Sequence, residues 1–253
     1  MTRPRLSVVI VTLNEEDRVR ACLESVAWAD EIVVVDAESQ DKTAQIARDF
    51  TDRVIVRPWP GFAAQKNFGL AEAGGDWILS LDADEQVSPE LREEIALVLA
   101  ANGPHDGYRV PRRNIFWGRW VRHGGLWPDL QLRLFRRGRG RLGDRAVHES
   151  VAVEGSVGRL SAPVIHRSYR DVSDFLTRAD RYSTLAAEEW ARSGRPIGVS
   201  DLVLRPLGRF LSMYALQRGF LDGPRGFLLA MLYAYYVFVR SVKAWERRET
   251  DVH

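Results

Sequence analysis

Four short apolar runs in the first third of the chain constrain its fold more than any other feature. Each is rich in β-branched residues and shows little polar alternation, which is typical of parallel strands buried on both faces. Segments of helical character separate them. The runs are residues 6–11, 32–35, 54–56 and 77–81. Strands and helices that alternate in this way predict an α/β fold with a doubly wound, mostly parallel, Rossmann-like sheet.

Beyond this alternating region the pattern changes twice. Two short strand candidates, residues 108–110 and 130–135, lie among glycine-rich and arginine-rich loops. The pattern after them is helical to the end of the chain. We therefore predict a first domain over residues 1–170 and a helical region over residues 171–253.

Composition excludes several classes of protein. The formal net charge of +2 among 253 residues is too small to indicate a nucleic-acid-binding protein. A single cysteine, Cys22, rules out an internal disulfide framework and favours a reducing cytoplasm. Its helical spacing with Val19 and Val26 predicts a core position. The longest apolar stretch, residues 227–239, is shorter than the roughly 20 residues that a spanning helix needs, so no transmembrane helix is predicted.

Polar side chains follow three of the four predicted strands. Thr12 and Asn14 follow the first strand, Asp36 follows the second, and Asp82 and Asp84 follow the fourth. The carboxyl ends of parallel strands meet at one edge of the sheet, where α/β proteins bind ligands. Two acids one residue apart suit a hard divalent cation whose other positions are taken by water and phosphate. The alternative is that these residues cap helices and turns.

Five motifs occur in order along this region. They are Thr12-Leu13-Asn14-Glu15-Glu16, Asp36, Ser39-Gln40-Asp41-Lys42-Thr43, Gln65-Lys66-Asn67-Phe68-Gly69 and Asp82-Ala83-Asp84. With these motifs the chain resembles the family 2 inverting glycosyltransferases of the GT-A fold. Three later segments are similar to the branch that contains the lipopolysaccharide inner-core β-1,4-glucosyltransferase: residues 127–135, 147–149 and 219–223.

The resemblance implies a metal-dependent, inverting transfer of a sugar, glucose from UDP-glucose, to a hydroxyl of a lipopolysaccharide core acceptor. In such an enzyme Thr12, Asn14 and Glu15 would border the nucleoside. Asp36 would accept a hydrogen bond from the uracil ring, and Lys66 would lie near the base or the diphosphate.

The resemblance also implies a Mg²⁺ or Mn²⁺ site. Asp84 would be the direct ligand, and Asp82 would contact the ribose or a metal-bound water. His166 would complete the metal shell, although a histidine after a strand can equally be a hydrogen-bonded structural residue. Arg133 and Arg136 would pair with the diphosphate, or else form the exposed face of a half-buried strand.

An inverting transfer needs a base to take the proton of the acceptor hydroxyl. Glu149 is the first candidate, because His148-Glu149 stands where many relatives have Glu-Asp. Asp129 is the alternative base, since it lies between a proline turn and a strand. Glu149 could instead be a surface partner of a neighbouring arginine.

The sequence does not decide what the C-terminal helical region packs against. An apolar helix over residues 227–239, followed by the cations Lys243, Arg247 and Arg248, suits either a core helix or one lying on an anionic membrane surface. Because the implied acceptor is a lipid-linked saccharide, we expect peripheral attachment to the cytoplasmic face of the inner membrane. Self-association into a homo-oligomer would explain the same surface.

Two other functions compete with this assignment. One keeps the donor and replaces the acceptor by a polyprenyl phosphate, which is already anionic and needs no protein base. The other, from a different class, is a non-catalytic nucleotide-binding scaffold. The motifs expected after the first strand of a phospho-acceptor regulatory domain, a dinucleotide-binding fold or an NTPase are missing from this sequence.

Overall fold

A computed structural model of the chain describes residues 3–143, 151–194 and 196–250. The chain divides into two compact units. Unit 1 comprises Met1–Arg113 and Asp129–His166, and unit 2 comprises Asn114–Pro128 and Arg167–His253. The predicted boundary at residue 170 is near the last junction between the units, but unit 2 also takes a segment from the middle of the chain.

Strands and helices alternate in the first 100 residues, further strands follow up to residue 169, and helices come after them. In chain order, the strands are β1 Leu6–Thr12, β2 Glu31–Asp36, β3 Val54–Val56, β4 Trp77–Asp82, β5 Glu85–Val87, β6 Gly107–Phe116, β7 Arg119–Trp120, β8 Asp129–Arg136, β9 Gly140–Leu142, β10 Val151–Val153, β11 Val157–Arg159 and β12 Val164–Tyr169. The helices are α1 Glu16–Val26, α2 Thr43–Arg48, α3 Phe62–Glu72, α4 Pro89–Ala100, α5 Val172–Arg192, α6 Val199–Leu202, α7 Leu204–Leu211 and α8 Pro224–Thr250. A π-helical turn, Ser212–Leu216, and a 3₁₀ turn, Gly219–Asp222, lie between α7 and α8.

The main sheet has the strand order β3-β2-β1-β4-β8-β6-β12-β5. Its first four strands pair in parallel, which confirms the predicted fold class. Because β1 is flanked by β2 on one side and β4 on the other, the strand order reverses at β1. Ligands of doubly wound sheets bind at the carboxyl ends of the strands beside such a reversal.

Both faces of the parallel strands β1, β2 and β4 are buried, as their apolar runs predict, whereas the edge strand β3 is partly exposed. Val8 and Ile10 of β1 pack in one cluster with Cys22 of α1, which confirms the core position of that cysteine. Val9, which points to the opposite face, packs in a second cluster with Leu70 of α3. Burial of each such aliphatic side chain contributes about 1.5–3 kcal/mol to folding.

The region between Gly103 and Ser168 is more regular than the sequence indicates. The two predicted strands are present as the longer β6 and β8, which pair antiparallel with each other. Four further strands in the described part of this region, β7, β9, β10 and β11, are only two or three residues long. Such short strands carry too few residues to show an alternating pattern.

Helix α8 of unit 2 extends well beyond the apolar run that predicted it. It is 27 residues long, because it continues on both sides of residues 227–239. Among the helices that the structure describes, it is the one that is long and apolar enough to cross a membrane, over Pro224–Glu249. Length and composition alone are weak evidence for this, since the core helix of a soluble protein meets the same test. Even so, only 28% of its most apolar window is buried.

The cations near the end of α8 contact helix α5 of the same unit. Lys243 Nζ donates to Asp180 Oδ1 at 2.6 Å and to Thr184 Oγ1 at 2.7 Å. Arg247 Nη2 donates to Glu188 Oε1 at 2.8 Å. These two members of the predicted basic cluster are therefore partners of a neighbouring helix, and contact of the cluster with lipid stays a prediction.

Glu31, at the start of β2, ties together three separate parts of unit 1. Its carboxylate accepts hydrogen bonds from Ser7 Oγ, from the Arg53 guanidinium and, at 2.7 Å, from the backbone N–H of Gly74. Burial would raise the pKa of Glu31, but the hydrogen bonds from Ser7, Gly74 and Arg53 outweigh it and lower the pKa. The ionised carboxylate therefore stabilises the fold.

We predict that Glu31→Gln lowers the free energy of unfolding at pH 7 by about 1–2 kcal/mol, because these donors lose an ionised acceptor. A group with a lowered pKa in the folded state stabilises above its unfolded pKa of about 4.3, and this stabilisation is lost as pH falls through the lower, folded value. The difference between wild type and variant, measured by urea unfolding, should shrink below about pH 4. Glu24→Gln, at an exposed position of α1, is the control, and an equal loss there would contradict the assignment.

Candidate active site

The carboxyl ends of β1 and β2 are joined by a hydrogen-bonded group of predicted donor-site residues. Thr12 and Asp36 are direct neighbours in the sheet, and Thr12 Oγ1 donates to Asp36 Oδ2 at 2.8 Å. Ser39 donates to both oxygens of the same carboxylate. The Asn14 backbone N–H donates to Ser39 Oγ at 2.8 Å, and Asn14 Oδ1 accepts from the backbone N–H of Gln40. Asp36 is fully buried, and its hydrogen bonds join the end of β1 to the loop after β2. Its contact with uracil stays a prediction.

Glu15 lies beside a buried cation that the sequence did not single out. Its backbone N–H donates to Thr43 Oγ1 at 2.8 Å, which anchors the start of α1. Arg18 Nη1 lies 3.7 Å from both Glu15 Oε2 and Asp84 Oδ2. This nitrogen is buried and makes no hydrogen bond among the described residues. Arg18 therefore offsets the charge of two carboxylates at this edge of the sheet.

Asp82, at the end of β4, lies between two cations. Lys66 Nζ of α3 is 2.7 Å from Asp82 Oδ1, and Arg133 Nη2 of β8 donates to Asp82 Oδ2 at 2.8 Å. Burial would raise the pKa of Asp82, but Lys66 and Arg133 outweigh it and hold the pKa well below its usual range. Arg133 is thus a partner of carboxylates here, and its predicted pairing with a diphosphate is not tested by this arrangement.

Glu85 is a second, fully buried partner of Arg133 that the sequence reasoning missed. Its carboxylate accepts from Arg133 Nη2 and, at 3.0 Å, from the backbone N–H of Asp82. Arg112 Nη1 lies 3.8 Å from the same carboxylate. The available signal was its position directly after Asp84, where a third acid in four residues requires nearby cations.

Asp84 and His166, which are 82 positions apart in the sequence, are brought together by the sheet. Strand β12 pairs antiparallel with β5, and His166 is opposite Glu85 in that pairing. This register places His166 Nε2 3.4 Å from Asp84 Oδ2. Both side chains are largely buried.

The Asp84–His166 pair fits a divalent cation with two protein ligands. Among the described residues, no group of three His, Cys, Asp or Glu side chains is placed to hold a metal. A carboxylate oxygen and an imidazole nitrogen suit Mg²⁺ or Mn²⁺. Two ligands at right angles, each ~2.1 Å from an ion, lie roughly 3 Å apart, close to the observed separation. Such ions usually take one or two carboxylates from protein and fill the rest with phosphate and water, so direct ligation by Asp82 is not needed.

The two candidate bases differ in what the structure shows of them. Asp129 is held on both oxygens: Arg112 Nε donates to Oδ2 at 2.8 Å, and Gln131 Nε2 donates to Oδ1 at 2.6 Å. Each oxygen keeps a second lone pair, so these bonds orient Asp129 without preventing it from accepting a proton. Glu149 lies outside the residues that the structure describes.

The predicted motif at residues 219–223 contacts a loop from the middle of the chain within unit 2. Asp222, in the 3₁₀ turn, accepts from the backbone N–H groups of Arg122 and His123 and lies 3.1 Å from His123 Nδ1. Gly219 is required here, because an added Cβ would lie 2.6 Å from the backbone oxygen of Met213. This motif therefore fixes one loop of unit 2 against another.

The sequence pattern of the family described as "Glycosyl transferase family 2" matches residues 7–157. A relative in Rhizobium meliloti (strain 1021), the "Lipopolysaccharide core biosynthesis glycosyltransferase LpsC", is 34% identical over 96% of this chain and 92% of its own. An "Uncharacterized glycosyltransferase" of Rickettsia typhi is 28% identical over 96% of this chain and 87% of its own. The chain belongs to glycosyl transferase family 2, and it is a glycosyltransferase, as the motifs predict.

Solved structures show the GT-A fold independently of close sequence identity. S. aureus TarS, residues 1–349 in complex with UDP-GlcNAc, has a TM-score of 0.52 at 16% identity and matches 97% of this chain and 92% of its own. The mannosyltransferase PcManGT from Pyrobaculum calidifontis, in complex with GDP-Man and Mn²⁺, has a TM-score of 0.53 at 16% identity and matches 97% and 88%. The predicted fold is confirmed by both.

We predict that Glu85→Gln lowers the free energy of unfolding by about 2–3 kcal/mol, because the buried Arg133 then loses the fully buried one of its two anionic partners. Urea unfolding at pH 7 measures this loss. Glu93→Gln, at an exposed position of helix α4, is the matched control and should change stability by less than about 0.5 kcal/mol. Equal effects at the two positions would show that Glu85 does not stabilise the site.

Proposed function

We propose that this glycosyltransferase is metal-dependent and inverting, and that it transfers glucose from UDP-glucose to a hydroxyl of a lipopolysaccharide core acceptor. The observation that carries the proposal is the Asp84–His166 pair, at 3.4 Å, beside the Lys66–Asp82 ion pair at the carboxyl end of β4. This is the edge of the sheet where a nucleotide binds in a doubly wound fold.

The comparisons support a nucleotide-sugar donor and differ in the nucleotide. TarS was solved with UDP-GlcNAc, and PcManGT was solved with GDP-Man and Mn²⁺. The family motifs of this chain favour uridine, with Asp36 as the uracil acceptor. Lys66, which is close to Asp82, would then contact the diphosphate when the nucleotide enters.

Asp84 and His166 would hold the divalent cation against the diphosphate. When bound, such a cation neutralises the leaving nucleoside diphosphate as a Lewis acid. Lys66 supplies a second positive charge on that side of the site, and Arg133 keeps the Asp82 carboxylate paired and oriented. Asp84, His166 and Lys66 would therefore act on the leaving group rather than on the acceptor.

The transfer itself is a single displacement. The acceptor hydroxyl oxygen forms a bond to the anomeric carbon, the bond from that carbon to the diphosphate oxygen breaks, and the hydroxyl proton passes to a base. We assign the base to Glu149, as the family resemblance implies, and Asp129, which is held by Arg112 and Gln131, is the alternative. The diphosphate leaves with the electron pair of the broken bond.

The acceptor and the location are inferred from the relative in Rhizobium meliloti, whose name assigns it to lipopolysaccharide core biosynthesis. A growing core is a lipid-linked saccharide. We therefore infer that the protein works in the cytoplasm, peripherally on the cytoplasmic face of the inner membrane.

Calorimetric binding of UDP, GDP and CMP, each with Mn²⁺ and with chelator, tests the donor class. We expect UDP alone to bind, and only with metal. Asp84→Asn should weaken UDP binding about 10-fold or more, because the cation loses its carboxylate ligand. Asp52→Asn, at an exposed turn in the same unit, is the control. Binding of no nucleotide would favour the scaffold, and unchanged affinity in Asp84→Asn would overturn the metal assignment.

Steady-state kinetics with a hydroxyl acceptor test the base. Glu149→Gln should lower kcat by about 10²-fold or more while UDP affinity stays unchanged, because the carboxylate acts on the acceptor proton. Asp129→Asn should retain most of the activity. The reverse pattern would assign the base to Asp129. Near-normal turnover in both variants with polyprenyl phosphate would favour the acceptor that needs no base.

A further inference from the structure

Unit 2 exposes a band of large apolar side chains between α6 and α8. We call this band the α7 surface. Its members are Val199, Val203, Leu204, Leu207, Leu211, Leu216, Phe220 and Leu221. Leu216 is 81% exposed and Leu204 is 63% exposed. A contiguous exposed apolar surface marks an interaction site.

Helix α7 presents one apolar face with no charged side chain on it. Val203, Leu207 and Leu211 recur at intervals of four residues, so they lie on one side of the helix. The arginines of α7 point elsewhere: Arg205 Nε is 2.8 Å from Asp201 Oδ1, and the Arg209 guanidinium lies over the ring of Tyr233.

The α7 surface is built on ordered structure. The rings of Phe210, Tyr214 and Phe227 contact one another, with centroids 5.4–5.8 Å apart, and join the end of α7 to the start of α8. Asp222 fixes the following turn through its bonds to the backbone of Arg122 and His123. The apolar side chains are therefore held outward by a packed support.

The charge of this region decides what can cover it. Arg218 is an exposed cation beside the α7 surface, and the neighbouring acids are engaged, Asp201 by Arg205 and Asp222 by His123. An anionic bilayer attracts basic residues and also takes apolar side chains into its interface.

We propose that the α7 surface docks the protein on anionic lipid, with its leucines and Phe220 entering the interface and Arg218 facing lipid phosphates. This deepens the proposed function and rests on it in one respect, because the proposed acceptor is anchored in such a membrane. It also moves the attachment away from the end of α8, where Lys243 and Arg247 are engaged by α5.

Co-sedimentation of the full chain with phosphatidylcholine vesicles, with and without phosphatidylglycerol, tests this docking. Wild type should bind the anionic vesicles. Leu207→Glu and Leu216→Glu should each weaken binding about tenfold, because a charge replaces a leucine that enters the interface. Arg218→Gln should weaken it roughly fivefold by removing one cation.

Leu97→Glu is the matched control, because Leu97 is 71% exposed on α4 of unit 1 and lies outside the α7 surface. It should bind vesicles like wild type. Circular dichroism reports folding, and if one leucine variant fails to fold, the other and Arg218→Gln decide. UDP binding of the same preparations is measured separately, so that loss of nucleotide binding bears on the proposed function and not on the docking.

Three results would overturn the docking. One is absence of wild-type binding to anionic vesicles. Another is equal binding by wild type and all three α7-surface variants, with no preference for anionic lipid, which would assign attachment to α8. The third is a wild-type dimer that Leu207→Glu converts to a monomer, without vesicle binding, which would make this face an interface between copies.

Discussion

The buried guanidinium of Arg133 is the interaction on which the rest of the site depends. It pairs with Asp82 at the end of β4 and with Glu85 at the start of β5, and it is itself on β8. Three acids within four residues, Asp82, Asp84 and Glu85, would repel one another if no cation lay among them. Removing one member of such a buried group leaves an uncompensated charge, which typically costs about 3–5 kcal/mol. Arg133 therefore allows the sheet to concentrate carboxylates at the edge where we propose that the donor binds.

The parallel half of the fold could be predicted because its signal is local. Each of the strands β1 to β4 is largely apolar along its length, so its sequence shows an unbroken apolar run. The short strands after β6 could not be predicted, since their pairing is set by neighbours that are distant in sequence. The length of α8 could not be predicted for a related reason. Its last turns are polar and are held by ion pairs to α5, such as Arg247 with Glu188.

Only part of the candidate site could be predicted from the sequence. Thr12, Asp36, Asp82 and Asp84 could be placed at the carboxyl edge, because each lies at or just after the end of a strand. Their partners were harder to predict. Glu85 and Arg112 come close to each other only when β5, β6 and β8 are assembled. The hydrogen bonds from Arg112 and Gln131 to Asp129 have no signature in the sequence. His166 was found through the family resemblance and not through spacing.

These contacts separate two tasks along one edge of unit 1. Asp82, Lys66 and Arg133 form a set of ion pairs that shapes the site, whereas Asp84 Oδ2 and His166 Nε2, 3.4 Å apart, suit two neighbouring ligands of one ion. The central claim is that the second pair, and not Asp82, holds the metal. Anomalous diffraction from crystals grown with UDP and Mn²⁺ tests it most directly. We predict a single manganese peak bonded to Asp84 Oδ2 and His166 Nε2, with Asp82 still paired to Arg133. A peak bonded to Asp82, or a nucleotide bound at this edge without manganese, would contradict the account.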